Sequence, residues 1–335
     1  MRSRVCVLLL AGIAGCVRPV AAFTCTSSDQ CTGGGVCQPV GFCSFDDQSC
    51  ASGQRYGAAS GDLGDICVGD EPGPTGCDPT KPFGSPAVVA GLASSADDAD
   101  LRLSPDETTA YFVSARTGKR QLHTAHRATA TATFTNIAVL ANVNTGDPFN
   151  PAISADGLTL FFASHRVLTD NDILQASRGA TTADFTNPRT VANVDTAASE
   201  TGPYLARDGM TMYFVRTVGS RQTVLRAVQS ALGNFASPSV VSELDGPTND
   251  SAPVLAGDGL TLYWGSDRPG GLGDVDVWQA QRTSTTATFG KLAPVTPVNT
   301  AGFDAPSDVS ADGCRLYLTS QRNGRTGIYV ATRPL

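Results

Sequence analysis

An internal repeat of about 50 residues fills most of this chain and restricts its fold more than any other feature. The repeats align on an aspartate in a Ser/Ala-x-Asp turn, and successive aspartates are 50, 52, 50 and 54 residues apart. An aromatic residue follows each aspartate by five positions. The aspartates are Asp106, Asp156, Asp208, Asp258 and Asp312, and the aromatics are Tyr111, Phe161, Tyr213, Tyr263 and Tyr317. A repeat of this period predicts an array of like supersecondary units.

Each repeat predicts four antiparallel strands. Asp-Gly between extended segments is a hairpin signal, because glycine accepts the positive φ of a tight turn. The run after it, such as residues 158–162, is apolar on both faces and therefore predicts a strand buried on both sides. A third segment alternates apolar and polar residues, and a fourth contains Pro86, Pro188 or Pro238, which places it at a sheet edge. Four such strands describe one blade of a β-propeller.

The order of the repeats predicts how the ring closes. The first repeat begins with its edge strand, from Phe83 to Leu92, whereas the last repeat stops at Leu335 after its third strand. We therefore predict an all-β fold, a five-bladed β-propeller over residues 83–335, in which the N-terminal edge strand completes the last blade.

A cysteine pair marks the same closure. The sequence of residues 83–335 contains one cysteine, Cys314, and Cys77 lies just before the closing strand. We predict a Cys77–Cys314 disulfide that stabilises the ring by roughly 2–4 kcal/mol.

The N-terminus has the pattern of an export signal. Arg2 and Arg4 precede an apolar run that ends at Gly15 and is too short to span a bilayer. Two interpretations stay open: a lipoprotein signal ending at residue 15, with Cys16 as the lipidation candidate, or a signal peptide of residues 1–22. Both predict an exported protein, either an outer-membrane lipoprotein or a periplasmic or secreted one.

Residues 23–68 predict a small disulfide-stapled module that precedes the propeller. Four of its cysteines recur every six residues, and the full set is Cys25, Cys31, Cys37, Cys43, Cys50 and Cys67. A segment with so few apolar residues needs disulfides to fold, and the sequence leaves their pairing open. The segment holds no histidine, which disfavours a zinc site. Residues 69–82, rich in proline and glycine, predict a linker.

The repeats resemble the WD-like propeller repeats of the TolB family. The likeness lies in the Ser-x-Asp-Gly turn, the Leu-Tyr-Phe-type strand after it, and a following Ser-x-Arg pair, as in Ser266 and Arg268. It extends over residues 83–335. The resemblance implies an exported bacterial envelope protein that binds proteins or envelope components without catalysis.

Composition and motifs narrow the function further. The net charge is −7 and 16% of residues are charged, which excludes a nucleic-acid partner held by bulk electrostatics. No other apolar stretch approaches the length of a transmembrane span either. The sequence contains no Gly-x-Ser-x-Gly or His-Glu-x-x-His motif, so we predict no catalytic residues, no metal site and no cofactor. The oligomeric state is open.

Acidic residues just before each first strand are the candidate binding residues. They would stand near the mouth of the channel and attract a cation or a basic partner, or else cap the loops between blades. They are Asp98, Asp147, Glu200, Asp250 and Asp304. We thus expect a non-catalytic propeller, not an enzyme, with a protein or envelope polymer as partner. The alternative is a carbohydrate-active five-bladed propeller, either a lectin or a glycosidase.

Overall fold

The computed structural model describes residues 77–165, 170–231 and 234–335, and in the N-terminal part residues 5–6, 16–17, 24–25, 27–38, 42–50, 52–58, 60 and 67. The chain divides into two units, Met1–Thr75 and Gly76–Leu335. Both predicted cleavage sites, at residues 13–15 and 20–22, and residues 69–76 of the predicted linker lie outside the described residues. In the described part of the chain, no helix is both long and apolar enough to cross a bilayer.

Disulfides form much of the interior of the N-terminal unit. Cys25 is bonded to Cys37, Cys31 to Cys43 and Cys50 to Cys67. The described strands are Val5–Cys6, Cys16–Val17, Val36–Cys37, Cys43–Asp46 and Gln54–Tyr56, with a 3₁₀ turn at Ser28–Gln30. The first two strands pair with each other, and the last three form one antiparallel sheet.

Five antiparallel sheets, numbered 1 to 5 in chain order, form the described part of Gly76–Leu335. Their first strands are Asp98–Leu103, Pro148–Ile153, Glu200–Leu205, Asp250–Leu255 and Asp304–Val309. The second strands are Thr109–Ser114, Thr159–Ser164, Thr211–Val218, Thr261–Ser266 and Arg315–Ser320. The third strands are Gln121–His126, Asp172–Ser177, Arg221–Ala231, Asp276–Gln281 and Gly327–Thr332. The outer strands are Thr135–Val139, Thr186–Thr190, Asn234–Phe235 with Ser239–Val240, Gly290–Pro294 and, for sheet 5, Ala87–Val88. Short 3₁₀ turns occupy Ala141–Val143 and Thr296–Val298. The all-β prediction is confirmed.

The core follows from the apolar second strands. Phe112, Phe162, Phe214 and Trp264 are all fully buried. The turn before each second strand is held by its aspartate: Asp156 accepts hydrogen bonds from the Leu158 backbone N–H and from the Ser154 hydroxyl. Side chains on both faces of these strands therefore pack between neighbouring sheets.

Sheet 5 is completed from the other end of the unit. Ala87 and Val88 pair with Val330 and Tyr329 of its third strand. A disulfide also joins Cys77 to Cys314, across a separation of 237 residues. The segment that precedes sheet 1 is thus tied to sheet 5 by backbone and by covalent bonds.

A tyrosine–arginine contact recurs between neighbouring sheets. The tyrosine is the repeated aromatic of one second strand, and the arginine follows the third strand of the next sheet. The Nη2–Oη distances are 2.9 Å for Arg178–Tyr111, 3.1 Å for Arg333–Tyr263 and 3.2 Å for Arg127–Tyr317. Arg282 also donates to Tyr213. Each arginine lies over the phenylalanine that precedes the outer strand of its own sheet, with centroid distances from 4.0 to 4.6 Å at Phe83, Phe134, Phe185 and Phe289.

Sheets 2 and 3 meet without that contact. Phe161 replaces the tyrosine and Gln229 replaces the arginine. The Phe161 ring keeps the edge-on contact, to Phe235 at 6.2 Å between centroids, that Tyr111 makes with Phe185. Gln229 still donates to the turn carbonyl of Gly209. Both members of the pair have changed together, so the junction stays free of an unpartnered buried hydroxyl.

Candidate functional site

A β-bulge interrupts every first strand. The register of each first strand shifts at the bulge, and four of the bulged residues have a positive φ: Asp100, Asn150, Gly202 and Ala252. At these positions Asp100 accepts a hydrogen bond from the Asn150 backbone N–H, and the Asn150 side chain accepts one from Gly202, both at 3.1 Å. The first strands of sheets 1, 2 and 3 are therefore linked side by side.

The residue nine positions before each repeated aromatic differs in every sheet. In order along the chain these residues are Arg102, Ala152, Tyr204, Val254 and Asp308. Each lies opposite its aromatic in the register of the first and second strands. Repeated positions that carry structure keep one residue type, whereas this position carries a cation, an anion, a phenol and two apolar groups.

Four of these five residues line one cavity, which we call the central pocket. Its volume is about 150 Å³, and its walls comprise Arg102, Leu103, Pro105, Ala152, Ile153, Ala155, Tyr204, Leu205, Ala206, Arg207 and Asp308. Sheets 1, 2, 3 and 5 all contribute. A small number of polar groups on a mainly apolar wall is the usual construction of a ligand pocket.

Arg102 is a buried cation with spare hydrogen-bonding capacity. Its side chain is enclosed, with 6% of the residue exposed, and its Nε has no hydrogen-bond partner among the described residues. Its Cζ lies 5.2 Å from the centre of the Tyr204 ring. The nearby Arg207 also has a buried Nε without a partner in the described part of the chain.

Asp308 is the carboxyl group of the pocket wall. Its two oxygens accept the backbone N–H groups of Leu103 and Val309, each at 2.8 Å. Burial raises the pKa of Asp308, although the positive charge of Arg102 opposes that rise. Burial likewise raises the pKa of Tyr204, whose hydroxyl donates to the Leu255 carbonyl at 2.7 Å. Asp308 is thus held in a fixed geometry and favours its protonated form more than a free aspartate does.

The structure places four of the five predicted binding acids at the first residue of a first strand, where each is buried and ion-paired. The pairs, with N–O distances, are Asp98–Arg116 at 2.9 Å, Glu200–Arg216 at 2.7 Å, Asp250–Arg268 at 2.7 Å and Asp304–Arg322 at 2.9 Å. Three of the arginines belong to the Ser-x-Arg pairs, and their Nε atoms donate to Ser114, Ser266 and Ser320. Each acid is therefore matched by a cation of its own sheet.

Asp147 differs from the other four acids. It precedes its strand by one residue because Pro148 holds the first position, it is exposed, and it lies 3.4 Å from the exposed Arg120. Among the described residues, the acidic group that forms around Glu200 contains Asp172 and Asp195 and none of the other predicted acids.

Asp172, Asp195 and Glu200 form a carboxylate cluster that the repeat pattern did not predict. Oxygens of the three side chains lie within 4.8 Å of one another. Burial and the neighbouring charge of Asp195, which is also hydrogen-bonded to it, raise the pKa of Asp172 to about 6. Asp195 belongs to a turn and Asp172 to a strand end, so only the folded chain brings them together.

Comparisons with known proteins bear on the fold. No family model matches the sequence, and no curated protein matches it. A thermostable family-43 glycoside hydrolase superposes with a TM-score of 0.52 at 12% identity, over 73% of this chain and 91% of that one. The catalytic domain of a Coprinopsis cinerea GH62 α-L-arabinofuranosidase gives 0.49 at 14% identity, over 76% and 97%. TolB from Acinetobacter baumannii gives 0.48 at 16% identity, over 72% of this chain and 56% of that one.

The five antiparallel sheets, with the likeness above a TM-score of 0.5, define the class of the molecule as an all-β, propeller-like protein. The chain spans little more than half the length of the A. baumannii TolB. The preference for a non-catalytic module that binds proteins or envelope components was wrong. That preference followed from the TolB resemblance. Of these three structures, the one with a TM-score above 0.5 is a glycoside hydrolase.

Proposed function

We propose that residues 83–335 form a closed five-bladed β-propeller that is carbohydrate-active, with its sugar site at the central pocket. The ring is supported by contacts between sheets 5 and 1: the Leu103 N–H donates to Asp308, and the Asp100 N–H donates to Thr319 at 2.9 Å. It is also supported by the outer strand at residues 87–88, which belongs to sheet 5. Every sheet then has two neighbours.

The pocket wall is the observation that carries the proposal. Sugars present hydroxyl groups above and below an apolar ring, so a sugar pocket combines directed polar groups with apolar surface. Guanidinium groups of Arg102 and Arg207 and the carboxyl of Asp308 supply the polar groups, and Leu103, Pro105 and Ala152 are among the apolar ones. The family-43 glycoside hydrolase of like fold agrees with this choice of ligand.

Asp308 is the residue whose chemistry bears on catalysis. Glycoside hydrolysis needs a carboxylic acid with a raised pKa to protonate the leaving oxygen, and a second carboxylate facing it across the sugar. Burial gives Asp308 the first property. The proposed function covers both sugar binding and sugar hydrolysis. Replacing Asp308 distinguishes the two, because only hydrolysis needs its carboxylic acid.

The test uses purified full-length protein and a panel of plant and bacterial polysaccharides. We expect retention of at least one polysaccharide in affinity electrophoresis, or release of reducing ends from it. For a hydrolase, Asp308→Asn lowers the cleavage rate by about 100-fold or more while binding persists. Asp147→Asn is the matched control, because it makes the same change at an exposed acid, and thermal unfolding verifies that both variants fold. Neither binding nor cleavage across the panel would overturn the proposal.

Export is proposed on independent grounds. Four disulfides fit an oxidising compartment. Intact-mass measurement of the protein isolated from a bacterial host distinguishes a lipidated Cys16 from a free N-terminus at Phe23. Recovery of the uncleaved chain starting at Met1, in the cytoplasmic fraction, contradicts export.

A further inference from the structure

We infer that the central pocket binds the carboxylate of an acidic sugar, such as a uronic acid. The inference rests on the proposed carbohydrate function and specifies its ligand class. It is carried by the two guanidinium groups in the pocket wall and by the hydrogen-bond donors that the fold leaves unused there.

Arg102 is a buried cation in the wall of the central pocket. A buried guanidinium is costly unless a negative charge or hydrogen-bond acceptors compensate it. Its recorded hydrogen bond runs from Nη1 to the adjacent Leu101 carbonyl at 3.4 Å, which is long. No described acidic side chain lies within ion-pair distance of it, in contrast to the paired Arg116, Arg268 and Arg322. The fold thus encloses a cation beside a cavity without neutralising it by contact.

Arg207 supplies a second donor from a different sheet. Its Nη2 lies 3.4 Å from the Val309 carbonyl, and its buried Nε has no partner within the described ranges. Other repeats have proline, alanine or glycine at this position: Pro105, Ala155, Gly257 and Ala311. Two arginines therefore converge on the cavity from non-repeating positions. Two guanidinium groups suit the two oxygens of a carboxylate.

The neighbouring acids are occupied by other partners. Asp308 and Asp100 are the acids whose charges act on Arg102. Both oxygens of Asp308 accept backbone N–H groups, and Asp100 accepts the Asn150 N–H. Both carboxyl groups accept backbone N–H groups and neither forms an ion pair with Arg102, so the unused donors of Arg102 and Arg207 remain for a ligand.

The size of the cavity limits what enters. A volume of about 150 Å³ is roughly tenfold the ~10–15 Å³ that one enclosed water needs. It has room for a carboxylate with part of the sugar ring that bears it, and not for several sugar units. The rest of a polysaccharide would lie outside the pocket.

The experiment compares D-glucuronate with D-glucose, which differ at one carbon, by isothermal titration calorimetry on the full chain. We expect glucuronate to bind at least about tenfold more tightly than glucose, and Arg102→Gln to remove that preference. Arg120→Gln, at an exposed arginine, is the matched control and should keep the preference. Arg207→Gln is a second test at a less buried position, in case Arg102→Gln fails to fold.

The outcomes separate this inference from the function beneath it. Equal affinities for the two sugars, or an unchanged preference in both arginine variants, overturn the acidic-sugar site. If the protein then binds a neutral polysaccharide, the proposed carbohydrate function still holds. Binding of tri-alanine through its terminal carboxylate, without binding of glucuronate, also overturns it, because the ligand would then be a peptide. Absence of any carbohydrate binding overturns both proposals.

Discussion

The junction between sheets 5 and 1 and the junction between sheets 2 and 3 use opposite kinds of contact. At the former, Glu107 receives hydrogen bonds from Arg315 at 2.7 Å and from the Tyr317 hydroxyl at 2.7 Å, and it lies 3.4 Å from Arg127. At the latter, Phe161 packs against Phe235. The other junctions between sequential sheets keep the Tyr–Arg contact, so the apolar contact is particular to sheets 2 and 3. Sheets 5 and 1 are far apart in sequence and are joined by charged groups, and a disulfide ties the segment before sheet 1 to sheet 5.

The largest expected effect comes from removing the covalent tie. Replacing Cys77 and Cys314 with serine should lower the free energy of unfolding of Gly76–Leu335 by about 4 kcal/mol, because the bond closes a very long loop. Denaturant unfolding monitored by tryptophan fluorescence measures this, since Trp264 and Trp278 both lie in that unit. Replacing Cys50 and Cys67 is the control and should leave this transition in place. Equal shifts in both variants would contradict the role assigned to the first bond.

Glu107→Gln tests the ionic part of the same junction. The substitution leaves the buried Arg127 without its anion and removes one of the two carboxylate partners of Arg315, which keeps Asp312 at 3.3 Å. It should cost about 3 kcal/mol in unfolding free energy. Asp147→Asn breaks an exposed pair and should cost about 0.5 kcal/mol or less. Urea unfolding of both variants gives the comparison. A loss at Glu107 no greater than at Asp147 shows that the junction does not depend on the ion pairs.

The apolar junction can be converted to the usual type. Phe161→Tyr alone should destabilise the protein, because it buries a hydroxyl without a partner, whereas Phe161→Tyr with Gln229→Arg should recover the loss. We expect a coupling energy of about 1.5 kcal/mol between the two substitutions in a double-mutant cycle. Tyr111→Phe, which breaks a native Tyr–Arg contact, should cost a similar amount. Additive effects in the cycle would show that the two positions do not interact.

The smallest effect concerns the acid cluster beside the same junction. The pKa of Asp172 is raised to about 6 in the folded chain, so the folded state binds more protons than the unfolded state between pH 4 and 6. Stability from this group is present at low pH and is lost as the pH rises through 6. Asp172→Asn should therefore stabilise the protein at pH 7.5 by about 1 kcal/mol, allowing for solvent screening, and have no effect at pH 4. Thermal unfolding of the wild-type protein and the variant at both pH values measures this effect. A variant that is less stable than the wild type at pH 7.5 would contradict the raised pKa of Asp172.

Repeated positions were predictable from the sequence, because one residue type recurring in every repeat reports a shared strand or turn. The hairpin aspartates, the buried second strands and the proline-bearing outer strands all belong to this group. Arg102 and Asp308 could not be selected in the same way, since each is one of a kind. Their signal was present in the residue nine positions before each aromatic, which changes in charge and polarity from sheet to sheet while the residue after it is always aliphatic.

Contacts between residues that are far apart in the sequence could not be predicted for a different reason. Glu107 was visible as an exception to the turn glycine, yet its partner Arg315 is 208 residues away. The meeting of Asp172 with Asp195 likewise depends on how a strand end and a turn are placed. Sequence spacing carries no information about such distances until the sheets are in register.

The pairing of Ala87–Val88 with the third strand of sheet 5 has a consequence for biogenesis. Residues 87–88 are translated early, but their pairing partners Tyr329 and Val330 are translated about 240 residues later. Four sheets can assemble from local sequence while the ribosome is still translating, and the fifth must wait for the last strand to emerge. Premature termination shortly before residue 327 should therefore leave a nascent protein with an open edge, a ready substrate for chaperones and proteases.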